Sequence, residues 1–207
     1  MTETNDLQQA IEHLRNGGVV AVASETYFTL CADARRASAV DAVFALKERE
    51  ETRAAAVLVP SVELWTPFVR EVPPLALRLA NRFWPGPLTI ALPAAEDIHQ
   101  GLKWRGRVAV RVPGPSPALD LVRGFGSALT ATSANPSGAP SSRSHEDVRA
   151  YFTGRAGLLI LEGQADGGMP STVIEIEGSG PGSVRIVRPG AVPQSVLDSA
   201  AESEAAA

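Results

Sequence analysis

"GSALTATSANPSGAPSSRS", residues 126–144, reads as a strand that ends in hydroxyls and an amide instead of bulk. Ala128, Leu129, Thr130 and Ala131 form the run; Thr132, Ser133, Ala134 and Asn135 close it; Pro136-Ser137-Gly138 breaks it. Side chains this short fill little of a core. They suit a strand end where a polar ligand comes close to the backbone and is hydrogen-bonded there.

Working outward, the chain before this stretch alternates helix and strand. Residues 6–16 carry Leu7, Ile11 and Leu14 at helical spacing, and Gly17-Gly18 stops the helix. Residues 19–30 read as a buried strand running into a polar turn. Residues 36–50 read as a helix with a stripe of Val40, Val43, Phe44 and Leu46, and "AAAVLVP" as a short strand stopped by Pro60. Helices are expected over 61–70 and 74–83, and strands at "PLTIALPA" (87–94) and "RVAVRVPG" (107–114), joined by the loop "AEDIHQGLKWRG". "PALDLVRGF" (117–125) is a helix. After the opening stretch come a short helix at 145–152, three strands at 156–163, 171–178 and 183–190, and a closing helix at 193–200. Early alternation and late clustering of strands predict a mixed sheet of α/β or α+β character in one domain. That domain is expected over 1–197, with a disordered tail over 198–207.

Composition narrows the class. The 207 residues are 44% hydrophobic and 20% charged, the balance of a globular soluble chain with a sizeable core. No apolar run approaches the roughly eighteen residues a membrane helix needs, and the acidic N-terminus has no secretory pattern. A cytoplasmic location is the expectation. The single cysteine, Cys31, excludes an internal disulfide and a cysteine-rich metal site. A net charge of −4 argues against a broadly basic nucleic-acid coat, while leaving room for a local basic cleft.

Familiar catalytic apparatus does not occur in the sequence. His13, His99 and His145 have no metal-ligand spacing and read as ordinary surface residues; no metal held by protein side chains is expected. There is no GxSxG elbow, Walker loop or GxGxxG. What remains is a set of cations and short polar groups at element ends: Lys47 and Arg49, Arg111, Ser133 and Asn135, and Arg188. Such a set suits an anionic ligand, because guanidinium and ammonium groups neutralise phosphate or carboxylate charge while Ser and Asn add directional bonds. Singly, each also has a plain structural reading, as a solvated strand residue or a local turn.

The order of segments adds a resemblance. "SETYFTLCADA", "ALKERE", "RFWPGPLTIAL", "VAVRVP", "TATSANPSG", "STVIEI" and "VRPGAV" stand in the order seen in the YrdC/Sua5 family of threonylcarbamoyl-AMP synthases, over roughly residues 6–197. The resemblance is to the short, YrdC-like form. It implies a single-domain α/β fold, a twisted mixed parallel/antiparallel sheet with flanking helices and a large concave, positively lined cavity. It also implies synthesis of threonylcarbamoyl-AMP and pyrophosphate from L-threonine, bicarbonate and ATP with Mg²⁺. The product would feed the tRNA modification N6-threonylcarbamoyladenosine at position 37, through downstream tRNA-modifying proteins. By the same resemblance Lys47, Arg49, Ser133 and Asn135 would be catalytic and bind ATP, joined by Arg188. Ser24, Arg111 and Ser171 would bind threonine.

Three departures carry expectations of their own. Thr29 stands where the family has a glycine that allows close backbone approach, and its side chain is expected to narrow the cavity or change its substrate. No proline follows Arg49, so the helix has no forced stop; unless it breaks there, Lys47 and Arg49 point about 200° apart, and a continuing helix would let Lys47 pair with Glu51. Pro170 replaces the usual glutamate before Ser171. Beside the synthase reading stand two others: a diverged YrdC-like paralogue with lost or altered nucleotide chemistry, and a module binding double-stranded RNA or tRNA. Acidic net charge and sparse aromatics count against the RNA module, and Trp84 in "FWPGP" reads as core packing instead of a base-stacking platform.

Overall fold

A computed structural model describes residues 1–48, 54–178 and 182–202. The strands are β1 (Thr2–Thr4), β2 (Val19–Ala23), β3 (Phe28–Cys31), β4 (Ala56–Leu58), β5 (Leu88–Pro93), β6 (Arg107–Arg111), β7 (Leu129–Ser133), β8 (Leu158–Leu161), β9 (Thr172–Ile176) and β10 (Val184–Arg188). They form one sheet in the order β1-β8-β2-β3-β7-β4-β6-β5-β9-β10. Pairing is mixed: β1/β8, β2/β8, β4/β6 and β5/β9 are parallel and the others antiparallel. Among the described residues no helix is long and apolar enough to cross a membrane.

The helices are α1 (Leu7–Arg15), α2 (Ala37–Lys47), α3 (Pro74–Phe83), α4 (Pro117–Phe125), α5 (His145–Phe152) and α6 (Gln194–Glu202). Apolar residues of α1, α3, α4 and α6 join one core with Val108 and Val110 of β6 and Leu88, Ile90 and Leu92 of β5. Ala39, Val43 and Leu46 of α2 and residues of α5 join a second core with β2, β3 and β8, while Val40 and Phe44 of α2 belong to the first. Strand alternation then turns Thr89 and Ala91 of β5, and Arg107, Ala109 and Arg111 of β6, to the face opposite the first core. The helices of the second core sit toward the β8-β2-β3 end, so they leave the face of β7-β4-β6-β5-β9 to the cavity.

Several expectations change. Residues 19–30 form two antiparallel strands around the turn 24–27, with Ala23 opposite Phe28. The segment 61–70 holds only a 3-10 turn, Val62–Trp65, because Pro60 and Pro67 frame it. The N-terminal residues supply β1, a short edge strand beside β8. Helix α6 runs through Glu202, five residues into the expected tail, because Leu197, Ala200 and Ala201 share a buried face. Helix α2 ends at Lys47 without a proline: Glu48 takes the left-handed conformation (φ 49°, ψ 43°), its N–H bonds back to Phe44 and Ala45, and its carboxylate meets Arg155. Arg49 and Glu51 lie outside the described residues.

Candidate active site

The open sheet face carries a hollow of about 1000 Å³. Its floor is a row of alanines: Ala131 faces Ala56, and Ala91 faces Ala109. The parallel register of Val57 with Val110 sets Ala56 beside Ala109, so the row crosses four strands. Methyl groups leave room; larger residues would fill the space.

One end of the hollow is cationic and strongly cross-bonded. Arg188 Nη2 donates to Ser171 O at 2.9 Å and to Ser171 Oγ at 3.1 Å, and Ser171 Oγ lies 2.9 Å from Thr89 Oγ1. Arg111 Nη2 donates to Glu25 Oε2 at 3.0 Å, and Glu25 Oε1 lies equally near without making a hydrogen bond. Burial holds the Arg111 guanidinium below its ordinary pKa, and the Glu25 charge opposes that shift. Arg188 is lowered by burial and by the neighbouring Arg111. Guanidinium pKa values start so high that both stay charged at neutral pH. Two cations and one carboxylate leave a net positive end fit for an anion. Ser24 lines the same hollow, with its hydroxyl donating to Tyr27 O at 2.7 Å and accepting from the N–H groups of Thr26 and Tyr27 at 3.3 Å.

Ser133 lines the wall where β7 ends. Lys47 sits behind that wall: it is 3% exposed, and its Nζ donates to Ser133 O at 2.5 Å, Asn135 O at 2.7 Å and Asn135 Oδ1 at 3.4 Å. Asn135 Nδ2 donates to Ala139 O, and Ser142 Oγ to Ala134 O at 2.5 Å. Lysine and amide thus fasten the segment 133–142 from below. Ser24, Arg111, Ser133, Ser171 and Arg188 come together on the hollow; Lys47 and Asn135 reach it through the backbone of Ser133, and Arg49 falls outside the described residues.

Thr29 and Pro170 also line the hollow, and the Thr29 hydroxyl is turned to Thr132 O at 3.0 Å. The histidines are wedges between elements instead of plain surface residues: His13 meets Gly157 O, His99 meets Asp41 and caps Gly101, and His145 meets Gly163. Trp84 is buried, donating from Nε1 to Leu88 O at 2.6 Å. Glu25, Thr89, Trp104 and Arg107 escaped the sequence reading as site residues. Arg107 was findable, since it shares strand parity with Arg111; Glu25 and Thr89 meet their partners only across the fold.

Comparison with known proteins follows the same outline. The Sua5/YciO/YrdC family model, described as telomere recombination, matches residues 12–190. A threonylcarbamoyl-AMP synthase of Pyrococcus abyssi is 35% identical over 181 residues, 87% of this chain and 52% of that protein. One of Thiobacillus denitrificans is 33% identical over 166 residues, 79% of this chain and 87% of that protein. The crystal structure of P. abyssi Sua5 complexed with L-threonine superposes with a TM-score of 0.85 at 31% identity, covering 96% of this chain and 59% of that one. The chain therefore spans little more than half the length of both Pyrococcus relatives.

Proposed function

The chain belongs to the Sua5/YciO/YrdC family, and on that premise we propose that it is a nucleotidyltransferase making threonylcarbamoyl-AMP and pyrophosphate from L-threonine, bicarbonate and ATP. The threonine amine attacks the bicarbonate carbon, water leaves, and a carbamate forms. A carbamate oxygen then attacks the α-phosphorus of ATP, and the bond to the bridging oxygen breaks to release pyrophosphate. No protein nucleophile is required. The work is to hold three anions together against their repulsion and in line, which positioning and fixed charge supply.

One observation carries the reading: Arg111, Arg188, Ser171 and Ser133 converge from four strand ends on one hollow with an alanine floor. Arg111, with Ser24 and Ser171, would take the threonine carboxylate and hydroxyl. Ser133 and Arg188 would take the nucleotide, with Lys47 and Asn135 fixing the Ser133 segment and Arg49 added from outside the described residues. The nearby carboxylates Glu25 and Glu175 are engaged by arginines, so Mg²⁺ would arrive on the triphosphate and neutralise part of its charge. The carbamoyl-adenylate is labile, which suits direct hand-over in the cytoplasm to a tRNA-modifying protein that builds N6-threonylcarbamoyladenosine.

Pyrophosphate release tests the reading. It should require ATP, bicarbonate and L-threonine together. Release that persists without threonine, or no release above the blank, rejects the synthase. Replacing Ser133 and Asn135 together by Ala should cut kcat/KM for ATP by roughly a hundredfold, through the loss of the Ser133 hydrogen bond to a charged ligand and of the Asn135 bonds that fix the Ser133 segment.

A further inference from the structure

The rim of the hollow away from Arg111 carries a ring that the reaction above leaves unused. Three aromatic side chains are among its described lining residues: Tyr27, Phe28 and Trp104. Phe28 is fully buried, and the Tyr27 hydroxyl donates to Gly168 O at 3.1 Å. Trp104 is half-buried at the tip of a tight hairpin leading into β6. Its N–H and that of Arg107 each donate to the other's carbonyl, at 2.8 and 2.9 Å, and Arg105 and Gly106 turn the corner with positive φ of 51° and 74°. The Arg105 guanidinium lies over the indole, 4.9 Å from the ring centre.

Strand register places this ring relative to Ser133. Arg107 faces Pro93 while Ala109 faces Ala91, so Arg107 lies on the other side of the alanine row from Arg111, about 13 Å along the strand. Continuing the β4 registers past Ala56 brings Ala54 between Arg107 and Ser133, two strand spacings or about 10 Å apart. Ser133 and the Trp104–Arg107 hairpin therefore border the same side of the hollow, at a separation a mononucleotide can bridge.

We propose that Trp104 is the surface on which the nucleobase of the substrate nucleotide stacks, with Arg105 covering the outer face of the indole. This rests on the reading that the hollow takes ATP. Stacking of a base on an aromatic side chain is strong enough to set nucleotide affinity and leaves the reacting phosphates untouched. Arg107, tethered to Glu175 at 3.6 Å and to Ala91 O at 3.4 Å, holds the inner side of the hairpin and keeps the ring in place.

Tryptophan emission supplies a direct test. Trp65 and Trp84 are buried against each other, with ring centres 5.1 Å apart, so Trp104 is the indole on the wall of the hollow. ATP should quench the emission of the unmodified protein and inorganic triphosphate should not. Trp104→Phe should lose the ATP-dependent quench. In turnover, Trp104→Ala should raise KM for ATP roughly 5- to 150-fold while Trp104→Phe, which keeps a stacking ring, stays within about threefold. KM for L-threonine should stay put in both. An unchanged KM for ATP in Trp104→Ala, or equal quenching by triphosphate, overturns the stacking role alone. A protein that binds no ATP overturns it together with the synthase reading.

Discussion

Lys47 ends helix α2 with its ammonium against the carbonyl oxygens of Ser133 and Asn135. Met at this position keeps the length and removes the donor: Ser133 O keeps the N–H of Asn135, but the buried Asn135 carbonyl loses its lysine, at a cost of about 1–3 kcal/mol. Lys47→Met should therefore lose that much unfolding free energy in urea with no ligand present; a lysine serving only a phosphate would leave ligand-free stability unchanged. Cys31 makes a second residue-scale case. Burial pushes its thiol from 9.0 up to about 12. The native state thus holds a proton that the unfolded chain releases above pH 9, so stability is full below pH 9 and falls as pH rises toward 12, by roughly 1.4 kcal/mol per pH unit. Subtracting the unfolding free energies of Cys31→Ala from those of the unmodified protein between pH 8 and 10.5 should expose that slope above pH 9; parallel curves would contradict it. The cationic ends were legible in the sequence because charge and strand parity are local properties. That Lys47 points to backbone was not, because its partners sit 86 and 88 residues away.

The β9–β10 hairpin and the turn after it place both Ser171 and Arg188. Ala191 N–H donates to Pro170 O at 2.9 Å, and a Cβ on Gly190 would stand 2.3 Å from that same oxygen. Backbone must move to admit it. Gly190→Ala should cost about 1–3 kcal/mol as overpacking and, by shifting Ser171, raise KM for threonine more than it lowers kcat. Gly106→Ala is the matched contrast: its φ of 74° is strained for a side chain, yet a Cβ there meets nothing within 4 Å. It should lose only about 1 kcal/mol in thermal or urea unfolding, because conformation is penalised and packing is not. Strands with continuous apolar runs or clean alternation, such as β5 and β6, were readable from periodicity. Strand β1 was not: "TET" has no apolar pattern, and its pairing with β8 is a property of the sheet edge. The last helix, read to 200, ends at Glu202 for a similar reason, since Ala201 gains meaning only against a neighbouring helix.

Across the whole molecule the charge has a layout that the net value conceals. The chain sums to −4, yet the described residues lining the hollow include Arg107, Arg111 and Arg188 and no carboxylate. Glu25 and Glu175 stand just outside the lining and engage the cations from behind. An anion entering the hollow meets Arg111 and Arg188 at one end, and one as long as a nucleotide can reach toward Arg107 at the other, whereas a long polyanion on the exterior meets an acidic average. Neutralising many phosphates is what gives proteins sequence-independent affinity for nucleic acid. Mononucleotide and tRNA should therefore separate in one experiment at about 50 mM salt, a condition that favours electrostatic binding. ATP should bind and raise the unfolding temperature by mass action, while tRNA should show a Kd weaker than the roughly 1 µM limit of strong non-specific binding. Tight tRNA binding with a steep salt slope would mean that the exterior presents a basic stripe the net charge hides, and would move the nucleic-acid reading ahead of the enzyme.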